Sequence, residues 1–115
     1  MFKITTKPTY KRNVKVDVPM DMGRTERHSF ILELKRLSVT ETKELVEEAQ
    51  NKEVTDDEMI RRYAVGWEGV SDENGEPLDF NTANLEAVMD IPYVRKAIMA
   101  AFIEDVFGKE AARKN

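Results

Sequence analysis

Gly66-Trp67-Glu68-Gly69-Val70-Ser71-Asp72-Glu73-Asn74-Gly75-Glu76-Pro77-Leu78-Asp79-Phe80 is the stretch whose reading decides the fold. It holds the only tryptophan and three of the five glycines, and it parts two helical patterns. An indole brings the largest apolar surface of any side chain, and its one N–H needs an acceptor once buried. Gly66 and Gly69 flank it and leave room for another backbone to approach. Asn74-Gly75 is a turn signal, because both residues tolerate the positive φ of a type I′ reversal. Pro77 has no amide to donate, so it keeps the returning limb extended or at an edge. The stretch predicts a helix end, a structural anchor at Trp67 and Gly69, a tight polar reversal at Asn74 and Gly75, and re-entry to the core at Leu78 and Phe80.

Asp72, Asn74, Gly75 and Glu76 have the composition of a calcium loop. With Gly75 as the sixth position, the first ligand falls on Val70 and the twelfth on Asn81. Neither supplies a carboxylate, so the EF-hand pattern fails at both ends and the segment reads as a solvated acidic turn.

Upstream of the anchor, Thr55-Asp56-Asp57-Glu58 is a capping box with an acidic first turn. In the helix it opens, Met59, Tyr63 and Trp67 recur every four residues beside Ile60 and Ala64, which predicts a core stripe delivering Trp67 to the face of Tyr63. Ser38-Val39-Thr40-Glu41 is a second capping box, opening a helix to about Gln50. That helix carries few apolar residues (Leu45, Val46, Ala49) and is predicted to lie on the surface.

Further back the period changes to two. Tyr10, Arg12, Val14, Val16 and Val18 fall on one face of a strand, with Lys11, Asn13, Lys15 and Asp17 on the other. Pro19 to Glu26 reads as a long connection, and His28 to Leu37 alternates again with Phe30, Leu32 and Leu34 inward. Met1 to Thr9 has no clear period. Two antiparallel strands alone are marginal, so helices must cover their apolar face.

Downstream, Asn81 is placed to cap a short helix, with Phe80 packing on Leu85, and Asp90-Ile91-Pro92 breaks it and opens the last one. The last helix reaches about Phe107, is closed by Gly108, and is roughly 25 Å long. Lys109 to Asn115 is a charged tail. Between Ala97 and Ile103 the last helix is apolar nearly all round, more than the stripe a surface helix needs. Either it is covered on every side, or one face is kept for a partner. Ile98, Phe102, Ile103, Val106 and Phe107 are the candidate protein-binding residues, for another protein or for self-association into a homo-oligomer.

The fold class is α+β: an amino-terminal antiparallel β-hairpin packed against four to five short α-helices, mainly helical. The 115 residues make one domain's worth of chain, with the hairpin part at 1–37 and the helical part at 38–115. With no cysteine, disulfides, thiolate metal sites and cysteine nucleophiles are excluded. The longest apolar run, Ala97 to Ile103, is seven residues, far short of the ~20 needed to span a bilayer. Met1-Phe2-Lys3-Ile4 lacks the apolar core of a secretion signal. Up to Arg36 there are nine Lys/Arg against four Asp/Glu, and the remainder has nine against eighteen, giving the net −4. The basic residues alternate along strands without a stacking platform, so solvated faces are favoured over a nucleic-acid surface. His28 is the only histidine and has no partner for a zinc site. The carboxylates lie in caps and turns, and there is no phosphate loop or nucleophile elbow, which argues against catalysis, cofactor or metal.

Three pieces, in order, carry a family likeness: Phe30-Ile31-Leu32-Glu33-Leu34-Lys35-Arg36-Leu37-Ser38, then Gly66-Trp67-Glu68-Gly69-Val70, then Asp72 to Phe80 with Asn84-Leu85 after it. Together they resemble the tail assembly chaperones of long-tailed bacteriophages, over about Phe30 to Phe107. The resemblance implies a non-catalytic protein of the host cytoplasm that holds the tape measure protein soluble, brings tail tube subunits to it, and is absent from the finished virion. Several relatives exist in two lengths through a translational frameshift, the longer carrying the tube-binding extension; ending at Asn115, this chain is expected to be the short form or a relative that works without the extension. A nucleic-acid-binding phage regulator and a structural minor tail component are the rival readings.

Overall fold

The computed structural model describes residues 1–108, so the charged tail from Lys109 lies outside the described residues. Strands β1 (Thr9–Pro19) and β2 (Thr25–Lys35) pair antiparallel from Thr9↔Lys35 to Pro19↔Thr25. Their alternation sets the two faces. Val14, Val16, Phe30, Leu32 and Leu34 are buried, while Lys11, Asn13, Lys15 and Asp17 face water. The connection is tighter than the predicted Pro19 to Glu26 loop: the Met20 amide donates to Arg24 O at 2.8 Å around a single 3-10 turn, Asp21–Gly23.

Helix α1 (Val39–Gln50) opens on the predicted capping box, with the Glu41 amide donating to Ser38 Oγ and the Ser38 amide donating to Glu41 Oε1, both at 3.1 Å. That amide and the Ser38 hydroxyl hold the Glu41 carboxyl below its ordinary pKa. Ser38→Ala removes the acceptor and is expected to cost about 1 kcal/mol of stability, measurable by urea denaturation. Only Leu45 of this helix is buried, in keeping with a surface helix. Helix α2 (Asp56–Tyr63) opens on the second box, at Thr55 and Glu58.

The structure departs from the sequence reading after Tyr63. The helix does not continue to Trp67; the chain turns extended and forms β3 (Ala64–Glu68), which pairs antiparallel with β2 (Ile31↔Glu68, Leu32↔Trp67). The hairpin is therefore part of a three-stranded sheet, ordered β1-β2-β3. Continuing the helix would place Gly66 in its interior, at a cost of about 1 kcal/mol, whereas the open edge of β2 offers backbone partners. The register shifts between Glu33 and Leu34, with Gly66 and Ala64 as their partners. Val65 is the extra residue of this bulge and is 37 % exposed, while Ala64 returns to the core.

The reversal after β3 also differs from the type I′ reading, because Asn74 does not have positive φ. The Asp72 amide donates to Glu76 O (2.9 Å) and the Gly75 amide to Asp72 O (3.0 Å), enclosing the three-residue loop Glu73-Asn74-Gly75. Gly75, at φ +82°, takes the left-handed position alone. Asp72 Oδ1 accepts from the Asn74 and Glu76 amides at 2.9 and 3.0 Å, so the acidic turn is held by its own carboxylate.

Helix α3 (Thr82–Met89) is capped by Asn81, whose Oδ1 accepts from the Asn84 amide at 2.8 Å. Helix α4 (Pro92–Phe107) starts with Pro92 in its first turn and ends at Gly108. It packs against β1 on one side and against α2 and α3 on others. The α+β class holds, with four α-helices of 12, 8, 8 and 16 residues against strands of 11, 11 and 5 among the described residues. The core gathers Val14, Leu32 and Leu34 of the sheet, Ile60 of α2, Leu85 of α3, and Ile98 and Phe102 of α4.

Candidate functional site

Helix α4 resolves into two sides. Ile98 is 0 % and Phe102 1 % exposed, and Phe102 stacks on Tyr63 with ring centroids 5.9 Å apart. These two candidate binding residues belong to the interior and offer no surface to a partner in this fold. Ile103, Val106 and Phe107 are half-buried at the edge of the core. Beside them lie exposed Ala100 and partly exposed Ala97, which the sequence reading did not single out. Their small side chains carry no signal of their own; only the placement of β1 shows that they face outward.

Two hollows meet at Ala100. One, of about 510 Å³, lies among Pro92, Lys96, Met99, Ala100 and Ile103. The other, of about 520 Å³, lies between α4 and β1, among Arg12, Lys15, Ala97, Ala100 and Glu104. The second is a shallow groove between α4 and β1, with Ala97 and Ala100 on its α4 side and a mixed-charge rim; the first lies round the helix from it, toward Asp56. Arg12, on the inward-facing side of β1, fixes one wall by pairing with Asp105 at 3.1 Å and Glu104 at 3.6 Å. The Tyr10 hydroxyl donates to Asp105 Oδ2 at 2.8 Å; burial first, then that carboxylate, push its phenol well above the ordinary range. The last turn of α4 is thereby tied to the start of β1.

The residues around Trp67 hold the opposite edge of the sheet. The indole Nε1–H donates to Leu78 O at 2.7 Å, and Phe80 meets the ring edge-on with centroids 5.0 Å apart. Gly69 sits at φ +82°, with the Phe30 backbone 3.9 Å from the position of an added Cβ. A side chain there would be strained chiefly by the left-handed backbone. Asn74 and Gly75 lie at the exposed tip of the turn. None of these groups forms a reactive constellation. Among the described residues no three His, Asp or Glu side chains gather to hold a metal, and no polar or charged residue is fully buried.

Three of the five basic residues in β1 and β2 are paired with acids: Arg12 as above, Lys11 with Glu68 at 2.8 Å and Arg27 with Asp17 at 2.9 Å. His28 is exposed beside Glu26. Among the described residues no helix is long and apolar enough to cross a membrane.

Comparison with known families gives a match: a model described as phage tail assembly chaperone covers residues 1–113. The chain belongs to the phage tail assembly chaperone family. No curated protein and no solved structure matches it. The matched range takes in the sheet, all four helices and the α4 groove. A tail assembly chaperone acts through other phage tail proteins in the host cell.

Proposed function

We propose that this tail assembly chaperone is a non-catalytic, homo-oligomeric binder of the host cytoplasm that keeps the tape measure protein soluble and helps bring tail tube subunits to it. The observation that carries the reading is the groove along α4. A long apolar helical protein aggregates when exposed, and a helix can lay its apolar face into such a groove. The alanine floor at Ala97 and Ala100 lets a partner helix approach at the short end of the 8–10 Å range of interaxial distances. Ile103 adds apolar surface in the adjoining hollow beyond Ala100, with Val106 and Phe107 half-buried toward the end of the helix. The net charge of −4 keeps the binder itself in solution.

Co-expression with the tape measure protein of the same phage tests this directly. The wild-type chain is expected to bring that protein into the soluble fraction. Ala100→Arg fills the groove floor without touching the core, since Ala100 is exposed. It is expected to weaken binding at least about tenfold, the equivalent of ~1.4 kcal/mol, and so to lower the soluble yield, with an unchanged melting curve. The nucleic-acid reading is weakened by the pairing of Lys11, Arg12 and Arg27 with acids. A structural minor component would be recovered in purified particles, where a chaperone would not.

A further inference from the structure

The even-numbered residues of β1 direct their backbone groups at β2. The Arg36 amide donates to Pro8 O and the Met20 amide to Arg24 O, both at 2.8 Å, and the register between them is unbroken. Residues alternate along an antiparallel ladder, so Thr9, Lys11, Asn13, Lys15 and Asp17 aim N–H and C=O away from β2. β1 ends the sheet order, and its 11 residues make the long open edge; β3, at the other end, has 5 and a bulge. Such an edge is a template for another strand. Pro19, with no amide to donate, stands on it.

The chain carries a segment that fits this edge. Met1 to Lys7 form neither helix nor strand, and Phe2 and Ile4 are 88 % and 84 % exposed. The segment is too short to show a period alone, but set against an edge it has two sides: Phe2, Ile4 and Thr6 on one, Lys3, Thr5 and Lys7 on the other. It prolongs β1 past Pro8 and so cannot reach its own edge. A second copy running antiparallel brings its edge within reach. With Lys3 opposite Asp17, the one carboxylate of β1, Thr5 falls opposite Lys15 and Lys7 opposite Asn13. Phe2, Ile4 and Thr6 then lie beside Val18, Val16 and Val14. They face the groove whose α4 side is Ala97 and Ala100, where large side chains have room. Sliding the arm by two residues in either direction sets a lysine opposite Lys15, and sliding it by one turns Phe2 and Ile4 to water.

We propose that the β1 edges of two copies pair in this register and exchange their arms. The register continues through Thr9 opposite Lys11 to Tyr10 opposite its own copy, so a single twofold axis places both arms and the dimer closes. The inference rests on the self-association included in the proposed function and gives it an interface. It also has a consequence for the groove. The arm covers its β1 side, so the dimer is the form that shields this surface, and a partner helix enters by taking the arm's place.

Sedimentation of the full chain over a concentration series tests the exchange by proline placement. Wild type is expected to pass from the 13.3 kDa monomer to a dimer. In the exchanged ladder the Thr5 amide faces the β1 edge of the second copy and the Thr6 amide faces away. Thr5→Pro should therefore weaken dimerisation at least about tenfold, and Thr6→Pro less than about twofold. Lys3→Asp, opposite Asp17, should weaken it as much as Thr5→Pro. Circular dichroism should stay native for all three, since these positions are exposed and outside every helix and strand. Wild type that stays monomeric overturns the exchange together with the self-association beneath it, and leaves the α4 groove to the co-expression experiment. Wild type that dimerises while Thr5→Pro or Lys3→Asp dimerises equally, or while Thr6→Pro falls as far as Thr5→Pro, overturns the exchange alone.

Discussion

Trp67→Ala is expected to lower the unfolding free energy by about 3 kcal/mol, the low end for truncating a large aromatic side chain. Three losses add up. The indole contact with Phe80 disappears, the Leu78 carbonyl loses the N–H that reaches it at 2.7 Å, and Leu32 loses the large side chain at the position paired with it. The indole is half-buried rather than enclosed, which keeps the cost at that low end. Trp67→Phe separates the contributions. It retains an aromatic ring against Phe80 and removes the N–H, so it should cost about 1 kcal/mol. Urea denaturation of the two variants measures both. A loss below about 1 kcal/mol for Trp67→Ala would mean that β3 and the returning limb are held by something other than the indole.

Phe102→Asp is expected to leave no folded protein under conditions where wild type is fully native. Phe102 is 1 % exposed and stacked on Tyr63, with Ile98 and the sheet around it. Truncation alone would cost about 3–5 kcal/mol, and an unpaired carboxylate in that site adds several more. Typical domain stabilities of about 5–15 kcal/mol leave little to absorb such a loss. Ile103→Asp, one position on, changes a half-buried residue in the hollow beside the groove and is expected to stay folded. The contrast between these neighbours, read by circular dichroism and melting, shows which side of α4 faces inward. A folded Phe102→Asp variant would reverse that assignment.

Local signals in the sequence specified much of the fold. Both capping boxes, the Asn81 cap, Pro92 and Gly108 mark helix ends, because capping chemistry involves residues within one turn of each other. The alternation of Val14 and Val16 and of Phe30, Leu32 and Leu34 likewise marks the inner face of the hairpin. The third strand was not legible in the same way. Met59, Tyr63 and Trp67 stand at helical spacing, yet Trp67 is drawn out of that helix by the edge of β2, more than thirty residues earlier in the chain. Pairing across that separation leaves no local periodicity to read. The Asn74-Gly75 signal located the turn but not its type, which depends on the Asp72 carboxylate accepting two amides.

The candidate site was legible at the level of the helix and not of the residue. An apolar run from Ala97 to Ile103 announces surplus apolar surface on α4, but hydrophobicity alone does not say which side β1 covers. Ile98 and Phe102 were therefore grouped with Ile103, although the sheet encloses the first two. Ala97 and Ala100 gain their meaning only from the groove they floor.

The most direct test of the account is the solubility of the tape measure protein co-expressed with wild type and with Ala100→Arg, each chain confirmed folded. A partner soluble with wild type and lost to the pellet with Ala100→Arg is the predicted result. Equal solubility with both chains would contradict the α4 groove as the binding surface.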